Sequence, residues 1–276
     1  MIKDIVVNLS LNPSRVAATQ YAISVASAFQ ARLTGIAFMY APTLPSVYMG
    51  TAMHGSDVVF QRDEAQRRAN AAMEIFEEGA RKAGVAMESH ALDAEAARAS
   101  DRFAKIARRF DLAIVGQAEP DKETVEDRIA EAALFESGRP VLFVPYIHAA
   151  GLDLRHVTVC WDGSRAAARA IADAMPFLTR AKLISIIVME SERPKSEDLP
   201  AFDMVNHLTR HNLNVELKRI PLTLNVGDAI LNYAADVSTN LIVMGGYGHS
   251  RFREFILGGA TRSLLDKMTA PTLMSH

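Results

Sequence analysis

The chain carries an internal repeat, and any fold proposed for it must be built twice. Ser14-Arg15-Val16-Ala17-Ala18 returns as Ser164-Arg165-Ala166-Ala167-Ala168, an offset of 150 that holds without a gap to Met39 and Met189. Asp111-Leu112-Ala113-Ile114-Val115-Gly116 returns as Asn240-Leu241-Ile242-Val243-Met244-Gly245 at an offset of 129, and Pro140-Val141-Leu142 as Pro271-Thr272-Leu273 at 131. Three blocks in the same order argue for duplication of one domain. The 276 residues suffice for two domains of ordinary size, about 100–150 residues each. The halves fall at about 1–146 and 152–276, joined by Ile147–Gly151.

Each half alternates short apolar runs with helical stretches. In the second half His156–Trp161, Leu183–Met189, Val215–Ile220, Leu241–Met244 and Pro271–Met274 read as strands. Residues 165–178, 198–211, 227–237 and a segment from Gly259 read as helices between them. Short buried strands separated by helices imply βαβ units and a parallel sheet covered on both faces. The expected fold is α/β: two similar domains, each a mainly parallel five-stranded sheet flanked by helices. The first half is longer between Met39 and Gly116, a spacing of 77 against 56 between Met189 and Gly245. The surplus is expected around Ala41–Asp57, a loop fit for a lid or an interface.

Composition removes whole classes of function. The longest apolar runs fall far short of the roughly 20 residues of a membrane span, and MIKDIVVNLS lacks the basic start of a signal peptide. A net charge of −2, spread over both halves, is not that of a non-specific nucleic-acid binder. One cysteine fits a reducing compartment, so the expectation is a cytoplasmic protein without membrane or nucleic-acid partners.

Open parallel sheets bind ligands at the carboxyl ends of their strands, where the strand order reverses. In the second half those ends carry Asp162-Gly163-Ser164, then Val188-Met189-Glu190, then Gly245-Gly246-Tyr247-Gly248. The last segment continues to Gly258-Gly259 with the spacing G-x2-G-x9-G-G. Glycines let a backbone approach a phosphate closely, and a helix beginning at Gly259 adds free N–H groups and its positive dipole end. His249 lies inside this loop, able to meet phosphate or to point into water. The spacing is neither a P-loop nor a Rossmann fingerprint. Turn-forming glycines without a ligand are the alternative reading.

The strand LIVMG, the loop GYGHSRFREFILGG and the closing APTLMSH resemble the universal stress protein family. Its nucleotide-binding members carry G-x2-G-x9-G-[ST] after the fourth strand and an Asp at the end of the first. The resemblance covers nearly all of the second half and, in layout only, the first, so the chain is similar to a tandem universal stress protein. It implies an adenine nucleotide alpha hydrolase-like fold that binds ATP. Asp162 then takes the base-side acid's place and Val188 the second-strand contact. Gly245, Gly248 and Gly258 become the phosphate glycines, with Gly163, Ser164, His249 and Gly259 beside them. Any Mg2+ would come with the nucleotide, whose phosphates supply most of its anchoring. Where the family has [ST] this chain has Gly259, and a lost hydrogen bond to a charged group costs about 1.5–3 kcal/mol. Family members dimerise through an edge strand, which implies an intrachain pseudo-dimer through 141–145 and 272–275, with a homodimer of such chains beyond it.

The first half departs further. By the 150 offset Asn12 replaces Asp162, and no glycine follows Gly116 until Gly138. Five acids stand between Glu119 and Asp127, and such charge repels phosphate. This half reads as a degenerate domain without the nucleotide site. The function expected is stress-response sensing or regulation through a nucleotide in the second half, with at most slow ATP hydrolysis. A nucleotide-free protein-interaction module is the alternative. His207 and His211 stand at i, i+4 without a third metal ligand in the pattern, and read as a solvated face. Cys160 reads as a core thiol. Asp162-Gly163-Ser164 is unlike the S-G-G-x-D-S type loop of ATP pyrophosphatases, and no nucleophile–base–acid set is visible.

Overall fold

A computed structural model describes residues 1–40, 55–117, 124–190, 201–221, 225–246 and 259–276. The first half runs β1 (Asp4–Asn8), α1 (Ala17–Phe29), β2 (Arg32–Tyr40), α2 (Gly55–Lys82), β3 (Met87–Ala94), α3 (Ala96–Ala107), β4 (Leu112–Gly116), α4 (Val125–Glu136), β5 (Val141–Val144). The second repeats it: β6 (His156–Cys160), α5 (Arg165–Leu178), β7 (Leu183–Glu190), α6 (Ala201–Arg210), β8 (Val215–Pro221), α7 (Val226–Asp236), β9 (Leu241–Gly245), α8 (Gly259–Lys267), β10 (Thr272–Ser275). The strands form one ten-stranded sheet ordered β3-β2-β1-β4-β5-β10-β9-β6-β7-β8.

Within each half all neighbours are parallel, and the order reverses between the first and fourth strands. The halves meet through antiparallel β5 and β10, in the register Val141↔Met274, Leu142↔Leu273 and Phe143↔Thr272. All six residues are buried. Successive strand residues point to opposite faces, and the core divides accordingly. One cluster unites Ile5, Val7, Leu142 and Leu273 with α1, α2, α5 and α6; the other unites Val6, Val141 and Met274 with α3, α4, α7 and α8. Each cluster crosses the join. The outermost strands, β3 and β8, are only partly buried and carry Glu88, His90, Asp93, Glu216, Lys218 and Arg219, the charged dress of a sheet edge.

The surplus of the first half lies mainly in a helix. α2 has 28 residues and its counterpart α6 has 10, and α2 already begins at Gly55. The expected loop at 41–57 is thus shortened from its far end, and residues 41–54 lie outside the described residues. The reason is visible in hindsight: Asp63, Glu64, Arg67 and Arg68 form an exposed polar face with Glu64 paired to both arginines, while Ala69, Phe76 and Ala80 bury the opposite one. The connection between halves docks on α1, where Ser24 Oγ accepts from Leu152 N at 2.9 Å.

Candidate functional site

β6 ends at the strand-order reversal of the second half, between β7 and β9. Just beyond it the chain makes a tight turn in which Asp162 Oδ1 accepts from Ser164 N at 2.9 Å. Gly163 has φ 77°, the left-handed region that a side chain resists. Ser164 is the N-cap of α5, its Oγ accepting from Ala167 N at 3.1 Å. One of its lone pairs is therefore committed to the helix, while the Asp162 carboxylate stands exposed.

Gly245 ends β9 against the same helix. A Cβ there would lie 2.5 Å from Ala167 N and 2.6 Å from the Ala166 carbonyl carbon. Those are backbone atoms and cannot turn aside, so the strand reaches the first turn of α5 only because this residue is glycine. Val188 is half-buried in β7, opposite Arg219 of β8, and packs against the core. Gly259 is the first residue of α8, as the sequence suggests. The structure thus sets Gly245 against the first turn of α5, the helix that Ser164 caps and that Asp162 and Gly163 precede. Gly248, His249 and Gly258 lie outside the described residues.

The equivalent crevice of the first half is differently furnished. A cleft opens at the ends of β1, β4 and β5, and among its lining residues are Asn8, Ser10, Arg15, Gly116, Glu126 and Tyr146. Asn12 Oδ1 accepts from Ser14 N at 3.1 Å, so this half repeats the Asp162 turn without its charge. Ser10 Oγ donates to Glu126 Oε1 at 2.9 Å. Burial pushes the Glu126 carboxyl up from its usual range, against the pull of the Ser10 hydrogen bond and of Arg15. Tyr40, at the end of β2, has its phenol pushed up by burial and by the Glu126 charge. The guanidinium of Arg15 lies over the Tyr146 ring, 5.8 Å from its centre.

The acidic run of this half is therefore not simply a charged surface. Asp127 belongs to a capping box at the start of α4, accepting from Thr124 N at 2.6 Å while Thr124 Oγ1 accepts from Asp127 N. Glu119, Asp121 and Glu123 lie outside the described residues.

At the opposite ends of the strands the structure joins three residues that the sequence did not link. His156 Nε2 lies 2.7 Å from Ser185 Oγ, which donates to Glu216 Oε1 at 2.7 Å. The carboxylate holds the serine rather than the histidine, and Ser185 is fully buried, so this is not the nucleophile–base–acid order of a hydrolytic triad. Thr34 and Glu88 repeat the pair in the first half at 3.1 Å. His207 and His211 pack ring edge to face with centres 5.0 Å apart. Burial and the Asp162 charge push the Cys160 thiol well up, away from reactive thiolate chemistry.

Residues 153–276 match the universal stress protein family. The match lies within the second half of the chain. A stretch of 46 residues is 39% identical to a universal stress protein of Synechocystis sp., covering 17% of this chain and 16% of that protein. The chain thus spans only a small part of the curated relative it matches. The fold is shared over the full length with solved structures. A universal stress protein from Archaeoglobus fulgidus DSM 4304 superposes with a TM-score of 0.75 at 16% identity, covering 99% of this chain and 97% of that one. A functionally unknown protein from Pseudomonas aeruginosa PAO1 gives 0.63 at 13% identity over 99% and 92%, and a putative universal stress protein from P. aeruginosa UCBPP-PA14 gives 0.60 at 14% over 99% and 93%. Each half of this chain carries the same order of five parallel strands with helices between them.

Proposed function

We propose that the second half binds ATP or a related adenine nucleotide, and that the chain is a cytoplasmic sensor or regulator of the stress response rather than a rapid enzyme. The observation that carries this reading is the meeting of the Asp162 turn and Gly245 at the strand-order reversal, where sheets of this kind receive nucleotides. In this reading Asp162 and Val188 take the base and ribose side, with Gly163 and Ser164 shaping the turn. Gly245, Gly248, His249, Gly258 and Gly259 take the phosphates at the start of α8, with any Mg2+ bound through those phosphates.

The first half takes no nucleotide in this reading: Asn12 lacks the acid's charge and Glu126 sits where phosphate charge would collect. The β5–β10 pairing then makes the chain an intrachain pseudo-dimer, and light scattering would report any homodimer of whole chains. Mass spectrometry of ligand released from the purified protein tests identity directly. Calorimetry should give one site per chain, and fluorescence of Trp161, the only tryptophan, should report the same site from beside Asp162. Two sites would overturn the dismissal of the first half. No heat and no fluorescence change at millimolar ATP would favour the nucleotide-free interaction module, with Gly259 the first suspect.

A further inference from the structure

Beyond the strand join, the halves touch at a matched pair of positions just past β4 and β9. Gln117 follows Gly116, and its N–H donates to Val144 O at 2.8 Å; Gly246 follows Gly245, and its N–H donates to Ser275 O at 2.8 Å. The repeat makes these two counterparts, and it likewise pairs Leu134 of α4 with Leu265 of α8. Each position faces the last helix of the other half, but with different chemistry. At Gly246 the contact is apolar and tight: a Cβ there would lie 3.0 Å from Leu134 Cδ2. At Gln117 it is polar. Nε2 donates to Leu265 O at 2.9 Å and to Asp266 O at 3.0 Å, while Oε1 accepts from Tyr146 N at 3.2 Å.

Leu265 and Asp266 lie in the last turn of α8, where carbonyls have no partner within their own helix. Gln117 is 5% exposed, so these bonds are made away from water, where leaving an acceptor unmet is costly. The first half therefore caps a helix of the second half. On its other side the end of α8 is held by Asp228 of α7, which accepts from Lys267 Nζ at 2.9 Å and from Ser263 Oγ at 3.2 Å. α8 has 9 residues, a rod of about 13 Å. A helix this short moves as one body, so what holds its last turn also sets where its first turn points.

We propose that Gln117 is a positioning residue for the nucleotide site of the second half. By capping the far end of α8 it fixes the helix whose N-terminus receives the phosphates. The degenerate half thereby acts as a regulatory support, since whatever alters the cleft beside Gln117 also alters the grip on α8. The proposal rests on the nucleotide reading above.

The test separates phosphate from base. Gln117→Met removes both donors at similar length, and Gln117→Glu replaces them with oxygens that repel the helix carbonyls. Calorimetry on the full chain should show the Kd for ATP rising about tenfold in Gln117→Met and further in Gln117→Glu, with that for adenosine within about twofold of the parent. A merely structural loss would weaken both ligands together. If ATP and adenosine weaken equally, or ATP binding is unchanged in a folded variant, Gln117 only holds the halves together and the proposal fails. Should Gln117→Glu not fold, Gln117→Met carries the comparison alone. A parent protein that binds no ATP defeats the nucleotide reading before any substitution is made, which tells the two failures apart.

Discussion

Past β1 the chain runs from Leu9 to Asn12 before it makes its side-chain-capped turn; past β6 it runs only from Trp161 to Asp162. The anchoring bonds fix the comparison, since Leu9 N donates to Ile36 O and Trp161 N to Ile187 O at matching places in the two sheets, and the same turn follows in each. The first half thus has two residues more, and one residue of this longer loop, Ser10, holds Glu126. The second half leaves an exposed carboxylate. Two halves of the same strand order therefore differ: in one a carboxyl group is held inside a cleft, in the other one stands exposed beyond the first strand. Strand order alone does not decide what such a crevice receives; the few residues after each strand do.

The largest effect should come from the pair of glycines that end β4 and β9. Gly245→Ala drives a Cβ into the backbone of α5 and should cost about 3 kcal/mol. Among the described residues Gly116→Ala meets only Ala18 Cβ at 3.8 Å, an ordinary contact, and should stay within about 0.5 kcal/mol of the parent. Urea denaturation of the two variants measures the difference, and equal losses would mean the ends of the halves are packed alike. Next in size is the charge of the turn. Asn12 shows that an amide makes the same turn, so Asp162→Asn isolates the charge from the fold. We expect a loss of about tenfold in ATP affinity by calorimetry, and none from Asn12→Ala; a loss in both would place nucleotide in both halves.

The smallest effect concerns Glu126. Burial raises its pKa in the folded chain, so between the unfolded and folded values the folded state holds a proton that the unfolded chain has released. Stability is then fully present below the unfolded value, about 4.3 for glutamate, and falls as pH rises through the folded one. Glu126→Gln removes that slope, and the variant should gain on the parent from acid to neutral pH in denaturation curves. Parallel curves would mean that the carboxyl is not buried as described.

Most of the frame was legible because buried strands are short apolar runs and Ser164 marks a helix start: residues 165–178 and the start at Gly259 match α5 and α8 at the residue. The pairing at the junction was implied only by the family resemblance, through 141–145 and 272–275; the strands that pair there are Val141–Val144 and Thr272–Ser275. The details of the site were not legible. The 150 offset begins at Ser14, so the extra residues before it leave no mark in the repeat. Glu126 looks like one acid among several, because a sequence does not say which acid faces inward. Gln117 carries no signal at all: its acceptors are 148 and 149 residues away and are backbone atoms, which any sequence supplies.

The pair Gln117 and Gly246 shows what two similar halves on one chain make available. In a symmetric dimer of identical chains every contact across the axis occurs twice, and a substitution that helps on one side is imposed on the other. A glutamine at both positions would set a side chain against Leu134, whose Cδ2 would lie 3.0 Å from the new Cβ and would have to give way. A glycine at both would leave the end of α8 uncapped. Where the halves share a chain, each contact has its own codon. One half is then free to become the holder and the other the held, a division of labour closed to the symmetric assembly.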